Sequence, residues 1–468
     1  MGLWPASLTR TQARVYLHRL LAMTSDPTPA EVDELRALLT AARAERDRLE
    51  EESGRAWARL DQITGKRSYR LAAQLQRAGR AVLPTRSGSP GSAPTSPRTE
   101  LLPCPQGLLV DVGPLDESAR SGIARVTVEL ARGLAQLTDG VTLVRATKGG
   151  FVVDHRHVAE VWPAGNPAAD GSARPPVLLS AAVQPGDAMS AWQRSVAQVH
   201  QAGGRYVQIV HDLIPITHPD FFPGGMRRHF PQWLEQVLSD ADVVLCDSQA
   251  TRRALATWVA DHDVMVRAPE FGVVTLAPFL ATERSAVAAG TADKGSAQVL
   301  TVGTVEPRKG VECVWAAAHD LRDHDPAVTF TVVGSPGWGC DGLIARLRAS
   351  HRDPSVPFTW LERIDDETLV DLYRSADLVL QPSRAEGFGL PLAEAAALQV
   401  PILARDIPVF REIITDDRSF FASDADLVPS LLRRLCEPSL SVEAQPGWTW
   451  ADTGAEVLAA VGEPARTS

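Results

Sequence analysis

The chain has 468 residues, 47 Lys and Arg against 57 Asp and Glu, a net charge of −10, and 44% hydrophobic residues with Gly and Pro at 34 each. That composition excludes collagenous, wholly disordered and disulfide-stapled classes, and the length accommodates about two to three domains. Residues 1–100 hold 16 basic and 11 acidic side chains while residues 101–468 hold 31 and 46, so a +5 arm precedes a −15 body, and the acidic body excludes nucleic acid as an expected partner.

Cys104, Cys246, Cys313, Cys340 and Cys436 lie far apart with no C-x-x-C pair, which encodes neither a zinc site nor a disulfide framework and fits a reducing cytoplasm. The opening MGLWPASLTRTQARVYLHRLL lacks the apolar core of a signal peptide, and no apolar run approaches the roughly 18 residues of a membrane span. The expected location is cytoplasmic, either soluble or peripheral on the inner face of the cytoplasmic membrane.

Val32, Leu35, Leu39, Ala42, Leu49, Ala56, Leu60 and Ile63 fit alternating three- and four-residue steps once Arg46 and Ser53 fill the gaps. This is a heptad seam for a short coiled coil, through which the chain could meet a partner or a second copy; a single amphipathic helix packed on its own body is the alternative. In KRSYRLAAQLQRAGRAVL, Leu71, Leu75, Ala78 and Val82 share a helical face, and Lys66, Arg67, Arg70, Arg77 and Arg80 have no acid nearby. Such a helix can lie on an anionic bilayer or dock on the body with solvated arginines. Together these make residues 1–83 a helical arm. Residues 84–100, of which 13 of 17 are Pro, Gly, Ser or Thr, form a flexible linker.

From Gly107 onward, β and α patterns alternate. Strands are predicted at 108–112, 141–144, 177–179, 206–210 and 243–246, and helices at 122–137, 189–201, 226–240 and 249–259. After an Ala-, Thr- and charge-rich connection at 281–294, strands are predicted at 299–302, 329–333, 358–361, 378–380 and 402–404, with helices at 311–321, 341–350, 366–375 and 391–398. Val-rich strands separated by helices make an α/β class with two doubly wound parallel-sheet domains, residues 101–285 and 295–468, facing a ligand cleft.

The most informative stretch is PSRAEGFGLPLAEAAA, residues 382–397, which follows a strand and opens a helix. Gly387 and Gly389 let the backbone approach a ligand, Pro391 suits the first helical turn, and the helix start offers N–H groups and positive dipole to an anion. Glu386 and Glu394, from the loop and the first turns, can reach the same cleft and grip hydroxyls, so a sugar and a ribose would satisfy both. In VLTVGTVEPRKGVECVWAAA, residues 299–318, Arg308 and Lys309 stand at another strand-to-helix junction of the same half, where adjacent cations can clamp a diphosphate. Such a pair is also common as a plain surface feature. His211 directly follows a strand and precedes Asp212, the position at which α/β sites form.

These motifs carry a resemblance. EGFGLPLAE, GTVEPRKG, VVGSPGW (332–338) and LYRSADLVLQPS (372–383), with DVGPLDESARSGIARVTVELARGL (111–134), VHDLIPITHPDFF (210–222) and ADVVLCDSQATRRAL (241–255), resemble the retaining glycosyltransferases of family 4, in order and over roughly residues 106–463. The resemblance implies the GT-B fold, two Rossmann-like domains with an acceptor on the first and a nucleoside diphosphate sugar donor on the second. It implies that Arg308 and Lys309 bind the donor diphosphate, Glu386 the transferred sugar and Glu394 the ribose. The backbone at Gly387, Phe388, Gly389 and Leu390 would hold sugar and phosphates, His211 would face the transferred sugar, and Gly122 and Ile123 would approach the diphosphate from the opposite wall. Arg125 fits either an acceptor contact or a surface cation.

Two positions depart from the family pattern. Thr304 stands where many members carry an Arg, leaving the clamp to Arg308 and Lys309. Gln399 replaces the usual Gly of A-x-G-x-P, a Gly that more plausibly serves the helix's C-terminal turn than catalysis.

The resemblance implies a retaining transfer to an acceptor hydroxyl in cell-surface glycan biosynthesis, mannosyltransferase-like, with a glycan or lipid-linked glycan acceptor. No cofactor and no metal is expected, since no D-x-D-like pair stands beside these motifs. The rivals are a GT-B sugar epimerase or inverting transferase, and a catalytically inactive scaffold in a glycan-assembly complex. The intact Glu386, Glu394, Arg308, Lys309 and His211 count against the scaffold. Gly334, Gly337 and Gly339 lack G-x-G-x-x-G spacing, which argues against a dehydrogenase.

Overall fold

The computed structural model describes residues 106–462 apart from 117–121, 139, 148–149, 156, 163–174, 185, 187, 269, 280–295, 324–326 and 438–447. The expected coiled coil, basic helix, Pro/Ser linker and interdomain connection lie outside the described residues. Among the described residues, no helix is long and apolar enough to cross a membrane.

The first lobe is a seven-stranded sheet of order β3-β2-β1-β4-β5-β6-β7. Its strands are β1 (Leu108–Asp111), β2 (Val141–Thr147), β3 (Gly150–Val153), β4 (Val177–Ser180), β5 (Arg205–Val210), β6 (Val243–Cys246) and β7 (Phe271–Val273). β1 and β4 are buried at every position, which is why they are Val- and Leu-rich without alternation: helices cover both faces. Those helices are α1 (Gly122–Leu137), α2 (Met189–Gln201), α3 (Gly224–Asp240) and α4 (Gln249–His262), the last capped by the Ser248 hydroxyl accepting from the Thr251 amide at 3.0 Å. The pairings are parallel except that of β3, which runs antiparallel to β2 with Thr147 opposite Gly150. So short a reversal leaves no room for a crossover helix, and the all-parallel expectation fails at this edge.

The second lobe is a six-stranded sheet of order β10-β9-β8-β11-β12-β13, parallel throughout. Its strands are β8 (Ser296–Val302), β9 (Ala327–Val333), β10 (Phe358–Leu361), β11 (Leu378–Gln381), β12 (Ile402–Arg405) and β13 (Phe420–Phe421). The helices are α5 (Val311–Asp320), α6 (Asp341–Arg352), α7 (Asp366–Ser375), α8 (Leu390–Ala397) and α9 (Leu427–Cys436). Two apolar clusters sandwich each sheet. In each sheet the strand order reverses between two central strands, β1 and β4 in the first and β8 and β11 in the second. Ligands bind outside the carboxyl ends of such strands. The two parallel-sheet α/β lobes are the expected GT-B architecture.

The last helix, α10 (Trp450–Val461), departs from the expected domain limits. It packs on α1 of the first lobe, where Val457, Leu458 and Val461 join the cluster around Leu130 and Leu134. Gly133 makes the close approach possible, because a Cβ there would lie 2.0 Å from the Trp450 carbonyl oxygen. Residues 295–468 therefore do not all belong to the second lobe.

The lobes touch at the carboxyl edges of their sheets. Glu412 accepts from the Gln249 and Ala250 amides of α4 at 2.8 and 2.6 Å and pairs with Arg253 at 3.2 Å. The Trp338 indole donates to the Phe221 carbonyl at 2.8 Å, and Arg125 pairs with Asp366 at 3.3 Å.

Candidate active site

Arg308 and Lys309 form a single helical turn, Pro307–Lys309, shortly after β8, and Glu386 lies in the loop that joins β11 to α8. Both loops leave the switch point of the second sheet. The Arg384 amide ties them together by donating to the Arg308 carbonyl at 2.7 Å. Lys309 Nζ lies 2.5 Å from Glu386 Oε1 and Arg308 Nη1 lies 2.6 Å from Oε2, while Ser383 donates to Oε1 at 2.7 Å. Arg308 Nε makes a second ion pair with Glu306 at 2.7 Å.

Burial makes these charges count. Glu386 keeps 7% of its side chain exposed, Lys309 13% and Arg308 17%. Burial disfavours the Glu386 carboxylate, but Lys309 and Arg308 overcome it and hold its pKa at about 2. Burial also works against the Arg308 cation, yet Glu386 and Glu306 leave its pKa above the ordinary arginine value. Lys309 falls below the usual lysine range through burial and the adjacent Arg308, opposed by its contact with Glu386. Glu306, 2% exposed, is raised by burial.

Two glycines shape the loop. A Cβ on Gly387 would stand 1.9 Å from the His211 carbonyl oxygen, so only glycine lets the two lobes meet there. Gly389 has φ 108°, a conformation L side chains rarely adopt, and directly precedes α8. The N-terminus of α8 thus opens beside Glu386 with its positive dipole end, although Pro391 has no N–H and the Leu392 and Ala393 amides already donate to the Gly389 carbonyl.

Glu394, on α8, is 3% exposed and accepts from the Tyr373 hydroxyl at 2.6 Å. Burial pushes its pKa up to about 7, against the Tyr373 hydrogen bond and the positive charge of Arg125. Arg125 itself lies over the Phe279 ring, 4.4 Å from its centroid. Arg125 also bridges to Asp366, the first residue of α7, whose Tyr373 holds Glu394. Gly122 and Ile123 begin the same helix as Arg125, and a Cβ on Gly122 would meet nothing within 4 Å.

His211 emerges from β5 with both ring nitrogens engaged, Nδ1 3.1 Å from Asp247 Oδ2 and Nε2 3.1 Å from the Ala181 carbonyl. Its own carbonyl accepts from Thr251 Oγ1 at 3.2 Å. The structure thus brings Arg308, Lys309, Glu386, Gly387 and His211 together, with Glu394 behind them on α8. Glu306, Asp247, Thr251, Tyr373 and Ser383 are further members of this constellation. Asp247 carries a sequence signal: it follows the strand VVLC as His211 follows YVQIV.

Gln399 has φ 58° and ends α8 in the left-handed region, which agrees with reading the replaced glycine as a helix-terminating residue. Thr304 is exposed on the loop between β8 and Arg308.

Residues 284–434 match the family model described as glycosyl transferases group 1. The chain is 33% identical over 234 residues to a serotype-specific mannosyltransferase WbdA of Escherichia coli, covering 48% of this chain and 29% of the relative. It is 32% identical over 247 residues to a D-inositol 3-phosphate glycosyltransferase of Nocardia farcinica, covering 48% and 53%. The chain therefore spans less than a third of that WbdA and about half of the second relative. Among solved structures, a trehalose-6-phosphate synthase, OtsA, aligns at 12% identity and TM-score 0.49 over 77% of this chain and 100% of that one. Residues 284–434, most of the second lobe, are thus similar to the group 1 glycosyl transferases.

Proposed function

We propose that the protein is a retaining glycosyltransferase of family 4 type that moves a sugar, mannose-like, from a nucleoside diphosphate sugar to an acceptor hydroxyl. The observation that carries this reading is the convergence of two buried cations, Arg308 and Lys309, on Glu386 beside the N-terminus of α8. Two cations and the positive dipole end of a helix suit a diphosphate, and carboxylates beside them suit sugar and ribose hydroxyls. The mannosyltransferases among the relatives support the donor class.

In the transfer, the bond from the anomeric carbon to the diphosphate oxygen breaks and its electron pair stays on the leaving group. The acceptor oxygen bonds to the same carbon and loses its proton to the departing diphosphate. Arg308, Lys309 and the α8 N-terminus stabilise the charge that grows on the leaving group. Glu386 orients the transferred sugar and Glu394 the ribose, while Gly122 and Ile123 close on the diphosphate from the first lobe. The acceptor is a glycan or lipid-linked glycan at the inner face of the cytoplasmic membrane, in cell-surface glycan assembly, and the reaction uses no metal.

Assaying release of nucleoside diphosphate from a panel of sugar donors, with linkage analysis of the product, tests this reading. Release with some donor and an α-linked product from an α-donor are expected; an inverted linkage, or no turnover with any donor and acceptor, overturns it.

A further inference from the structure

The pairing of β5 with β6 sets Val210 opposite Cys246, so His211 and Asp247 leave adjacent strand ends at the same level. A carbonyl oxygen only accepts, so the His211 Nε2 facing Ala181 carries a hydrogen. Nδ1 faces a carboxylate oxygen, and that 3.1 Å contact also needs a proton between its atoms. Asp247 is 3% exposed and its other oxygen, Oδ1, has no hydrogen-bond partner, so the carboxylate is committed to the ring. In either arrangement of the shared proton, neither ring nitrogen keeps a lone pair for a substrate proton.

The neighbouring charges decide where that proton sits. Asp247 faces the ring from β6 and Asp212 follows it in the chain, while Glu386, Arg308 and Lys309 stand across the Gly387 contact. Burial alone would discharge the ring, but Asp247 and Asp212 raise its pKa above the ordinary histidine value, and burial raises Asp247 to about 6. The geometry favours the ring as the holder of that proton, because the Asp247 carboxylate has no partner but the ring and the Ala181 carbonyl already requires a hydrogen on Nε2.

We propose that Asp247 is a positioning residue that holds His211 as an imidazolium bonded at both nitrogens, a fixed positive charge across the cleft from Arg308 and Lys309 and not a proton acceptor. The catalytic consequence rests on the glycosyltransferase reading; the state of the ring does not. Asp247→Asn keeps the shape but donates to Nδ1, which leaves the ring neutral.

The test pairs ¹⁵N NMR of the His211 ring in the full chain with donor kinetics. Both ring nitrogens are expected to be protonated in the wild type at neutral pH, and only Nε2 in Asp247→Asn. Turnover should fall by about 10- to 100-fold with donor KM nearly unchanged, and the alkaline limb of the wild-type kcat profile should disappear. An unprotonated Nδ1 in the wild type overturns the proposal whether or not the variant folds. Wild-type turnover in a folded Asp247→Asn also overturns it. Absence of turnover in the wild type itself, with Nδ1 protonated, would instead strike the glycosyltransferase reading and leave the ring assignment standing.

Discussion

Replacing Lys309 by Met removes one of the two cations on Glu386 while nearly keeping the volume of the side chain. With Lys309 present, the Glu386 pKa is about 2 against an ordinary 4.5, a difference worth at most about 3 kcal/mol of folding stability. Arg308 and Ser383 still hold the carboxylate in the variant, and removing the lysine relieves its own burial cost. The expected net loss at neutral pH is therefore about 1–2 kcal/mol. The sign follows from a depressed carboxyl: its contribution is present above the unfolded pKa and is lost as pH falls from about 4.5 towards 2. Wild type and variant should thus differ in urea midpoint at neutral pH and converge in acid. A charge-assisted contact to the diphosphate is worth about 1.5–3 kcal/mol, so nucleoside diphosphate should bind roughly 10- to 100-fold more weakly. Equilibrium unfolding and titration calorimetry measure the two effects separately. An unchanged midpoint together with unchanged nucleotide affinity would refute the assignment of Lys309 to the clamp.

Glu394 gives the opposite pH signature. Burial raises it to about 7, so between the unfolded value of 4.5 and 7 the folded state holds a proton that the unfolded chain has lost, and stability declines as pH rises through that window. Donor binding should strengthen over the upper part of the same range as the carboxylate ionises to accept ribose hydroxyls. Glu394→Gln should flatten both profiles, and an unchanged pH dependence would remove Glu394 from the ribose site. Gln399→Gly should stabilise the fold by about 0.5–1 kcal/mol by relieving a left-handed non-glycine residue, with turnover unaltered; destabilisation would show that the side chain compensates for its backbone. Turnover should survive exhaustive chelation, and a strict requirement for added Mg²⁺ or Mn²⁺ would contradict a clamp made of Arg308, Lys309 and the N-terminus of α8.

Period and turn chemistry make the sheets and helices readable, because most strands carry a short apolar run and helices such as α4 and α7 start at a capping side chain. β11 ends at Gln381, and the two glycines after Glu386 announce the turn into α8. Three features escape that logic. β3 is a hairpin edge whose four residues give no repeat. α10 looks like a continuation of the second lobe, and only the missing Cβ of Gly133, more than three hundred residues away, receives it on α1. Asp247 and Tyr373 bond to His211 and Glu394, and pairings between separate strands and helices carry no local pattern. Arg308, Lys309, Glu386, Gly387 and His211 were legible by type and position, whereas their mutual hydrogen bonds and the partners Glu306, Asp247, Thr251, Tyr373 and Ser383 were not.

If the chain grips a polyanion as proposed, its net charge of −10 requires a local source of attraction, and the site supplies less free positive charge than its residue types promise. Arg308 and Lys309 are already matched by Glu386 and Glu306, with Asp212 close enough to act on Arg308. A diphosphate entering here cannot simply fill a positive pocket. It must take over hydrogen bonds that Glu386 now makes, and Glu386, with both oxygens released from cations, becomes available to sugar hydroxyls. On the proposed reading the same carboxylate therefore keeps two buried cations satisfied without substrate and turns to the transferred sugar when the phosphates arrive. Gly387, next in the chain, sits against the His211 carbonyl, so that exchange takes place where the lobes touch and where any change in the Glu386 loop is felt by the first lobe.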